Sequence, residues 1–247
     1  MLRVRPIHLT SRPEPWESLL TALGMVKTAD AGSWREFDAG AGRLGLHIAQ
    51  AGAPDDGTTV FGVEVGDLEE FARRTNLASA DTGTTPAELI QADHGMSCRI
   101  TGKDGFSFLA DPATRAKDGT WATSPDADPA LAVVGVWFTA DAADAAQSLR
   151  DIGGRFRPSP DADETADFIA KNGGVLMVRP ASGPPRSGLG FEYDGDLDAL
   201  RDRLTAAGQE VLVTEEAFGR TLHLANPDAA DGATGSHVPS TLWITKR

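Results

Sequence analysis

Side chains that could carry chemistry are few in this sequence. Its five histidines are His8, His47, His94, His223 and His237. His8 and His47 lie in strand-like segments, His223 alternates with leucines, His94 precedes a glycine in a predicted turn, and His237 lies in a glycine-rich loop. No histidine accompanies a serine or cysteine in a recognisable nucleophile motif, and no glycine-rich run is placed to cradle phosphate. Ligand or metal binding is the chemistry left to consider, since imidazoles with a carboxylate suit Fe(II), Mn(II) or Zn(II).

The composition narrows the classes of partner. The formal net charge is −13, so nucleic acid and anionic membranes would be repelled, and a ligand selected by charge would be neutral or cationic. Cys98 is the only cysteine, which excludes an internal disulfide and suits a reducing compartment. No apolar run approaches the ~20 residues of a membrane span, and Met1–Thr10 lacks the apolar block of a signal peptide. We therefore expect a cytoplasmic protein with no nucleic-acid or membrane partner.

The elements that must position these side chains form a repeat. A strand, an amphipathic helix and three further extended segments follow one another four times along the 247 residues. The opening strands are predicted at Val4–Leu9, Thr59–Val65, Leu131–Thr139 and Gly188–Tyr193. The first helix is typical, because Trp16, Leu19, Leu20 and Leu23 recur at helical spacing and Gly24 ends the helix. We call each repeat a module.

Local similarities suggest how the modules are paired. Gly62–Leu68 resembles Gly190–Leu197, and Phe108–Pro112 resembles Leu222–Pro227, so modules two and four are alike. The polar stretch Ala113–Pro129 separates two pairs of modules. The predicted domains are therefore 1–124, with modules at about 1–56 and 57–124, and 125–247, with modules at about 125–185 and 186–247.

Two motifs add a family resemblance to the repeat. Leu23-Gly24-Met25 closes the first helix, and Gly105–Pro112 reads GFSFLADP. With the fourfold order of elements, these motifs resemble the glyoxalase/bleomycin-resistance/extradiol-dioxygenase superfamily, also called the vicinal oxygen chelate superfamily. The resemblance implies an α+β fold in which four βαβββ modules form two pairs, each a curved mixed sheet round a cavity. Because one chain supplies all four modules, we expect a monomer to suffice for folding, although a dimer is possible.

The resemblance also implies where a metal would bind, because the family's enzymes hold a divalent ion with His, Gln or Glu on cavity-facing strands. Val4 and Val60 stand at two such positions in the first pair of modules, and His47 stands where the family usually has Glu. In the second pair, Val134 and Trp243 stand at ligand positions. The ligand pattern is therefore degraded, and we expect no metal cofactor.

Strand alternation predicts one face for the polar candidates of the first pair. His8 shares the parity of Val4, and Glu64 shares that of Val60, so both are predicted to face the cavity together with His47. The opposite, helix-packing side is predicted to consist of Ile7, Leu9, Leu44, Leu46 and Ile48. Since His8 lies four residues beyond Val4, or roughly 13 Å at ~3.3 Å per residue, a metal held jointly by His8, His47 and Glu64 is doubtful.

Two functions are consistent with these patterns. The favoured one is metal-free binding of a small molecule, neutral or a cationic aromatic, at a site framed by His8, His47, Glu64 and Trp34. The alternative is a metal-dependent lyase, isomerase or dioxygenase that acts on vicinal oxygens through His8, His47 and Glu64. A structural or regulatory module with no ligand is a third possibility.

Overall fold

The computed structural model describes residues 1–83, 85–115, 121, 123–158, 165–216, 219–229 and 238–247. The helices in these ranges are α1 (Pro13–Ala22), α2 (Leu68–Ala78), α3 (Ala142–Asp151) and α4 (Leu197–Ala206). Across the same ranges, no helix is long and apolar enough to cross a membrane. His237 and part of the predicted boundary at Ala113–Pro129 lie outside the described residues.

The strands follow the predicted order. Module one has β1 (Leu2–Val4), β2 (Ile7–Thr10), β3 (Val26–Asp30), β4 (Trp34–Asp38) and β5 (Arg43–Ile48). Module two has β6 (Thr59–Val60), β7 (Gly62–Val65), β8 (Ala87–Ala92), β9 (Gly95–Thr101) and β10 (Ser107–Pro112). Module three has β11 (Leu131–Thr139), β12 (Arg155–Arg157), β13 (Ala166–Ile169) and β14 (Val175–Pro180). Module four has β15 (Arg186–Tyr193), β16 (Val211–Glu216), β17 (Gly219–Ala225) and β18 (Thr241–Lys246). These strands form three mixed sheets of five, eight and five strands, which confirms the predicted α+β class.

The starts of the helices follow from local sequence. Asp67, Asp141 and Asp196 precede α2, α3 and α4, and each carboxylate accepts a hydrogen bond from a backbone N–H of the first turn. The first helix has no such cap but begins at Pro13, whose fixed φ suits a first helical position and which has no N–H to satisfy. Gly24 follows α1 with φ +88°, a conformation that glycine adopts without strain.

The chain divides into two compact units, each discontinuous in sequence. The first compact unit consists of Met1–Arg5, Phe61–Ala122 and Val134–Gly188. It contains the sheet β1-β7-β10-β9-β8 and the strand order β12-β13-β14-β11. One buried apolar cluster fills it, with contributions from Val63, Phe108, Trp137, Leu149 and Phe168. Modules two and three therefore share a core.

The second compact unit consists of Pro6–Val60, Thr123–Val133 and Leu189–Arg247. It contains the sheet β3-β4-β5-β2-β6 and the strand order β15-β18-β17-β16. Its apolar cluster includes Trp16, Leu20, Phe37, Phe191 and Leu222. The predicted pairs, 1–124 and 125–247, were drawn from local sequence similarity and the polar boundary Ala113–Pro129, and that pairing stays a prediction.

The opening strand of module one differs from its prediction. The segment Val4–Leu9 is divided between β1 and β2, with Arg5 and Pro6 between them. Proline has no N–H for a sheet and restricts the residue before it. β1 pairs antiparallel with β7, whereas β2 pairs parallel with β5. The two halves of the segment thus belong to different sheets, and the pairing within each sheet determines which way its side chains point.

Candidate functional site

The sheet of module one has an open face turned away from α1. Leu44 and Leu46 of β5 belong to the buried core with α1, so their neighbours Gly45 and His47 point to the other side. Trp34 of β4 lies directly across from His47 in the antiparallel ladder, with the ring centroids 6.4 Å apart. The structure therefore brings together two of the predicted site residues, His47 and Trp34, on the face predicted for His47.

A glycine shapes this face. A Cβ atom added at Gly45 would lie 2.6 Å from Cη2 of Trp34, so the indole packs directly over the glycine backbone. His47 is exposed, and its side chain makes no hydrogen bond to another described residue. Ile7 and Leu9 are half-buried and pair with Gly45 and His47 in the parallel ladder. An aromatic ring, an imidazole and two aliphatic side chains thus line one accessible surface.

Charged residues extend the same face. Arg43 Nε donates to Asp38 Oδ1 at 2.6 Å, and Arg43 Nη1 lies 3.4 Å from Glu36 Oε2. Asp38 lies opposite Arg43, and Glu36 opposite Gly45, in the antiparallel ladder. Asp38 and Arg43 are buried, so this ion pair lies beneath the exposed part of the face.

His8 lies on the opposite side of the sheet, so its predicted face was wrong. It pairs with Leu46, a core residue, and its ring centroid is 4.1 Å from that of Trp16 on α1. The prediction took its phase from Val4, but Val4 is itself a core residue of the first compact unit. Ile7 and Leu9, predicted to pack on the helix, correspondingly lie on the open face.

His8 belongs to a buried cluster that the sequence did not indicate. Its Nε2 lies 2.6 Å from Oδ2 of Asp228, and because a carboxylate can only accept, Nε2 carries the proton. Trp16 Nε1 donates to the same carboxylate at 2.7 Å, and Thr10 Oγ1 donates to its other oxygen. Burial disfavours the charged carboxylate, but the hydrogen bonds from His8, Thr10 and Trp16 outweigh that effect and lower the pKa of Asp228.

Glu64 belongs to the first compact unit. It lies directly across from Arg3 of β1, and Arg3 Nε donates to Glu64 Oε2 at 2.9 Å. Arg5 Nε is 3.4 Å from the other carboxylate oxygen, and Arg5 also bonds Asp111, which lies beside Glu64 on β10. Glu64 does lie on the side away from the helix, as predicted, because its neighbour Val63 is in the core.

Asp111 also contacts His94, which lies in the turn of the β8–β9 hairpin. Ser97 Oγ donates to Asp111 Oδ1 at 2.6 Å, and His94 Nε2 lies 3.0 Å from the same oxygen. His94 Nδ1 lies 2.8 Å from Asp93, so both ring nitrogens face carboxylates. The hydrogen bond to Asp111 raises the pKa of His94, and hydrogen bonds from His94, Ser97 and Arg5 lower the pKa of Asp111 despite its burial. Ser97 is fully buried, so this cluster offers no accessible nucleophile.

His8, His47 and Glu64 are not placed to share one divalent metal. His8 and His47 occupy opposite faces of one sheet, and Glu64 is already engaged by two guanidinium groups. Within the described ranges, no group of three or more His, Cys, Asp or Glu could hold a metal ion. Cys98 is buried, and burial raises the pKa of its thiol to about 11.

Comparison with known proteins places the fold. No family model matches the sequence, and no curated protein matches it. Many solved structures are similar to this chain, and three of them that match over nearly its whole length are described next. The Mn(II)-bound glyoxalase from Novosphingobium aromaticivorans has a TM-score of 0.61 at 12% identity, covering 98% of this chain and 79% of that one. A 2,3-dioxygenase from Pseudomonas sp. KL28 has a TM-score of 0.57 at 13% identity, covering 99% of this chain and 91% of that one. Homoprotocatechuate 2,3-dioxygenase from Arthrobacter globiformis has a TM-score of 0.58 at 15% identity, covering 99% of this chain and 78% of that one.

The chain therefore has the fold of the glyoxalases and extradiol dioxygenases, which are members of the vicinal oxygen chelate superfamily. The predicted resemblance is confirmed at the level of fold. At these identities the likeness does not carry an activity or a set of ligands to this chain.

Proposed function

We propose that this protein binds a small planar molecule, without a metal, on the open face of module one. The observation that carries the proposal is the pairing of Trp34 with His47 over Gly45 on the side of the sheet away from α1. Convergence of an aromatic ring, aliphatic surface and a polar group is typical of small-molecule sites. His8 and Glu64 are left out of the proposed site, because both are buried and hydrogen-bonded to buried partners, Asp228 and Arg3.

The net charge of the chain favours a neutral or cationic ligand. The whole chain is acidic, with a net charge of −13. The face of an indole attracts cations through its ring quadrupole. An aromatic ring that is neutral or carries a positive group would therefore be preferred to an anion.

Fragment binding tests the site. A set of fluorinated aromatic fragments with neutral, cationic and anionic members would be screened by ¹⁹F NMR against the full chain. We expect neutral and cationic members to bind, and His47→Ala or Trp34→Leu to weaken binding about tenfold without loss of folding, as for one lost contact. Gln91→Ala, an exposed change on β8, should leave binding unchanged. Equal binding by wild type, His47→Ala and Trp34→Leu would overturn the site.

A metal-dependent lyase, isomerase or dioxygenase is the second candidate, and the fold of the similar enzymes favours it. Elemental analysis of protein purified without chelators or metal-affinity steps separates the two functions. We expect less than a tenth of a metal equivalent of Mn, Fe or Zn per chain, and unchanged fragment binding after dialysis against EDTA. A stoichiometric metal whose removal abolishes binding would establish the second candidate.

We also propose that the protein acts in the cytoplasm as a monomer. Cys98, its only cysteine, is buried and unpaired with another cysteine, which suits a reducing compartment. All four modules are supplied by one chain. Light scattering should give the mass of a single 26.0 kDa chain, and an obligate dimer would contradict the monomer.

A further inference from the structure

A hydroxyl, an imidazole and a carboxylate are joined by hydrogen bonds in the second compact unit. Thr59 Oγ1 is 2.9 Å from His8 Nδ1, and His8 Nε2 is 2.6 Å from Asp228 Oδ2. All three residues belong to that one compact unit. A hydroxyl bonded to an imidazole whose other nitrogen is held by a carboxylate is the arrangement that activates an oxygen nucleophile. We call these three residues the Thr59 triad.

The protons of the Thr59 triad have the direction that activation of a nucleophile requires. His8 Nε2 carries the imidazole proton, because the Asp228 carboxylate can only accept. In a neutral imidazole the other nitrogen, Nδ1, is then an acceptor, so Thr59 Oγ1 donates to it. The hydroxyl proton of Thr59 therefore points at the base that would remove it.

Strand pairing holds Thr59 against His8. Thr59 of β6 lies directly across from His8 of β2. The Leu9 N–H donates to the Thr58 carbonyl, which makes His8 and Thr59 a non-hydrogen-bonded pair, the kind in which cross-strand side chains are closest. The Thr59 N–H consequently points away from β2, to the outer side of the edge strand β6. It can donate to the carbonyl oxygen of an acyl group held on Oγ1 of the same residue, where negative charge would develop.

The base of the triad is buried, and its hydroxyl reaches the surface. His8 and Asp228 are 2% and 4% exposed, whereas Thr59 is only half-buried. The Trp16 ring covers His8, with the centroids 4.1 Å apart. Burial opposes the charge of Asp228, but hydrogen bonds from His8, Thr10 and Trp16 lower its pKa. The carboxylate is therefore charged near neutral pH, and it stabilises the imidazolium that forms when His8 takes a proton.

We propose that Thr59 is a nucleophile that accepts the acyl group of a small activated ester, with His8 as its general base and Asp228 as a positioning residue. Thr59 Oγ1 bonds to the carbonyl carbon of the ester, and the hydroxyl proton moves to His8 Nδ1. The bond from that carbon to the leaving oxygen breaks, and the alcohol or phenol departs with the proton from His8. Water then cleaves the threonyl ester by the same route and releases the acid. The net charge of −13 favours an acyl donor without negative charge.

The small neutral ester p-nitrophenyl acetate tests the nucleophile in the full chain. Release of p-nitrophenolate near neutral pH would be followed by absorbance, and acetylated peptides would be mapped by tandem mass spectrometry. We expect release above that of the urea-unfolded chain and an acetyl group on Thr59. Neutral hydroxylamine should remove this acetyl group, because it cleaves esters and leaves acetylated lysines intact. Release that depends on Thr59 without an adduct would support the proposal through fast hydrolysis. Neither a Thr59 ester nor release that depends on Thr59 would overturn it.

Variants of the hydroxyl show whether the release depends on Thr59. Thr59→Val keeps the shape of the side chain and should reduce release to the rate of the unfolded chain, whereas Thr59→Ser keeps a hydroxyl and should retain the reaction. Thr214→Val is the matched control, because Thr214 Oγ1 also lies 2.9 Å from a histidine nitrogen, His223 Nε2, and it should react as wild type does. Wild-type reactivity in Thr59→Val, or an ester on Thr214 in place of Thr59, would contradict the assignment.

Asp228→Asn tests the carboxylate as a positioning residue. The variant would be assayed at a temperature at which circular dichroism shows the folded state. We expect the maximal rate of acylation to fall about a hundredfold, as for impaired general-base catalysis. The ester concentration that gives half the maximal rate should stay unchanged, because Asp228 does not contact the ester. A carboxylate that only supports the fold would leave both quantities at their wild-type values in folded protein, and that result would overturn the role of Asp228.

The Thr59 triad does not depend on the ligand site proposed above. His8 lies on the α1 side of the sheet and His47 on the open face. Failure of fragments to bind at the open face would therefore leave the expected acylation of Thr59 unchanged.

Discussion

The Nε2 atom of His8 lies 2.6 Å from Oδ2 of Asp228, a residue 220 positions further along the chain. Asp228 is in a 3-10 turn, Pro227–Ala229, that follows β17, and His8 is in β2. Both side chains are almost completely buried. Two further donors, from Thr10 and Trp16, complete the shell of the carboxylate. These hydrogen bonds connect the Pro227–Ala229 turn to β2 and α1 of module one. The turn, the strand and the helix all belong to the second compact unit.

Removing this carboxylate should destabilise the protein strongly. Asp228→Asn replaces one of the two carboxylate oxygens by an NH2 group. The remaining oxygen cannot accept hydrogen bonds from His8, Thr10 and Trp16 as the carboxylate does. We expect the free energy of unfolding to fall by about 3 kcal/mol, as when one partner of a buried pair is lost. Urea titration followed by circular dichroism measures the change. Asp126→Asn, at an exposed position, is the control, and an equal effect of the two substitutions would show that the cluster contributes nothing.

The same carboxylate predicts a loss of stability in acid. The folded-state pKa of Asp228 lies below the ordinary value of 3.8, so in acid the unfolded chain binds protons before the folded chain does. The contribution of Asp228 is complete above the unfolded value and is lost as the pH falls through the folded pKa. The difference in unfolding free energy between wild type and Asp228→Asn should therefore shrink as the pH falls below about 4. A difference that stays constant down to the acid transition would contradict this assignment.

The fold could be predicted because its signals are local and repeated. Apolar residues at helical spacing placed α1, with Trp16, Leu19 and Leu20 in its core as expected, and the order of strands round each helix followed. The site could be predicted only in part. For His47 the alternation along β5 gave the right face, since Leu44 and Leu46 lie in the core as predicted.

The rest depended on contacts that local patterns do not contain. The phase of β2 is set by its parallel pairing with β5 and by a buried acceptor for His8, which comes from Asp228. Asp228 lies in a segment of low hydrophobicity, and such a segment is predicted to be a surface loop. Likewise, Arg3 stands in a strand whose alternation indicates only that it faces away from the core, and Glu64 becomes its partner through the β1–β7 pairing.

The Arg3–Glu64 pair should behave as a buried ion pair. Glu64 is 2% and Arg3 1% exposed, so Glu64→Gln removes a carboxylate charge that faces a buried guanidinium. We expect a loss of about 3 kcal/mol for Glu64→Gln and a smaller loss for the double variant Arg3→Met/Glu64→Gln than the two single losses added together. Denaturant unfolding of the four proteins gives the coupling energy. Additive losses would show that the two side chains do not interact. Glu70→Gln, at a solvent-exposed ion pair on α2, is the control and should have little effect.

The contribution of His94 to stability should depend on pH with the opposite sign to that of Asp228. Its pKa is raised above the ordinary value of 6.5, first by its hydrogen bond to Asp111 and also by Asp93. A raised folded-state pKa contributes stability that is complete below the unfolded value and is lost as the pH rises through the folded value. As the pH rises above about 6, wild type should therefore lose more stability than His94→Gln, which cannot be protonated. Parallel curves for the two proteins would contradict the interaction with Asp111.

Gly45→Ala tests whether the glycine sets the position of Trp34. Gly45 is not in a left-handed conformation, so alanine can adopt its backbone, but the new Cβ would lie 2.6 Å from Cη2 of the indole. The half-buried ring must move, and we expect a net loss of about 1 kcal/mol, because overpacking costs about 1–3 kcal/mol while replacing glycine in a strand regains about 0.5–1 kcal/mol. The tryptophan emission and the near-ultraviolet circular dichroism should change while the far-ultraviolet spectrum does not. Fragment binding to the module-one face should weaken in the same variant, since the ring that stacks on the ligand is displaced. An unchanged emission spectrum together with wild-type fragment affinity would show that the contact between Trp34 and Gly45 does not shape the site.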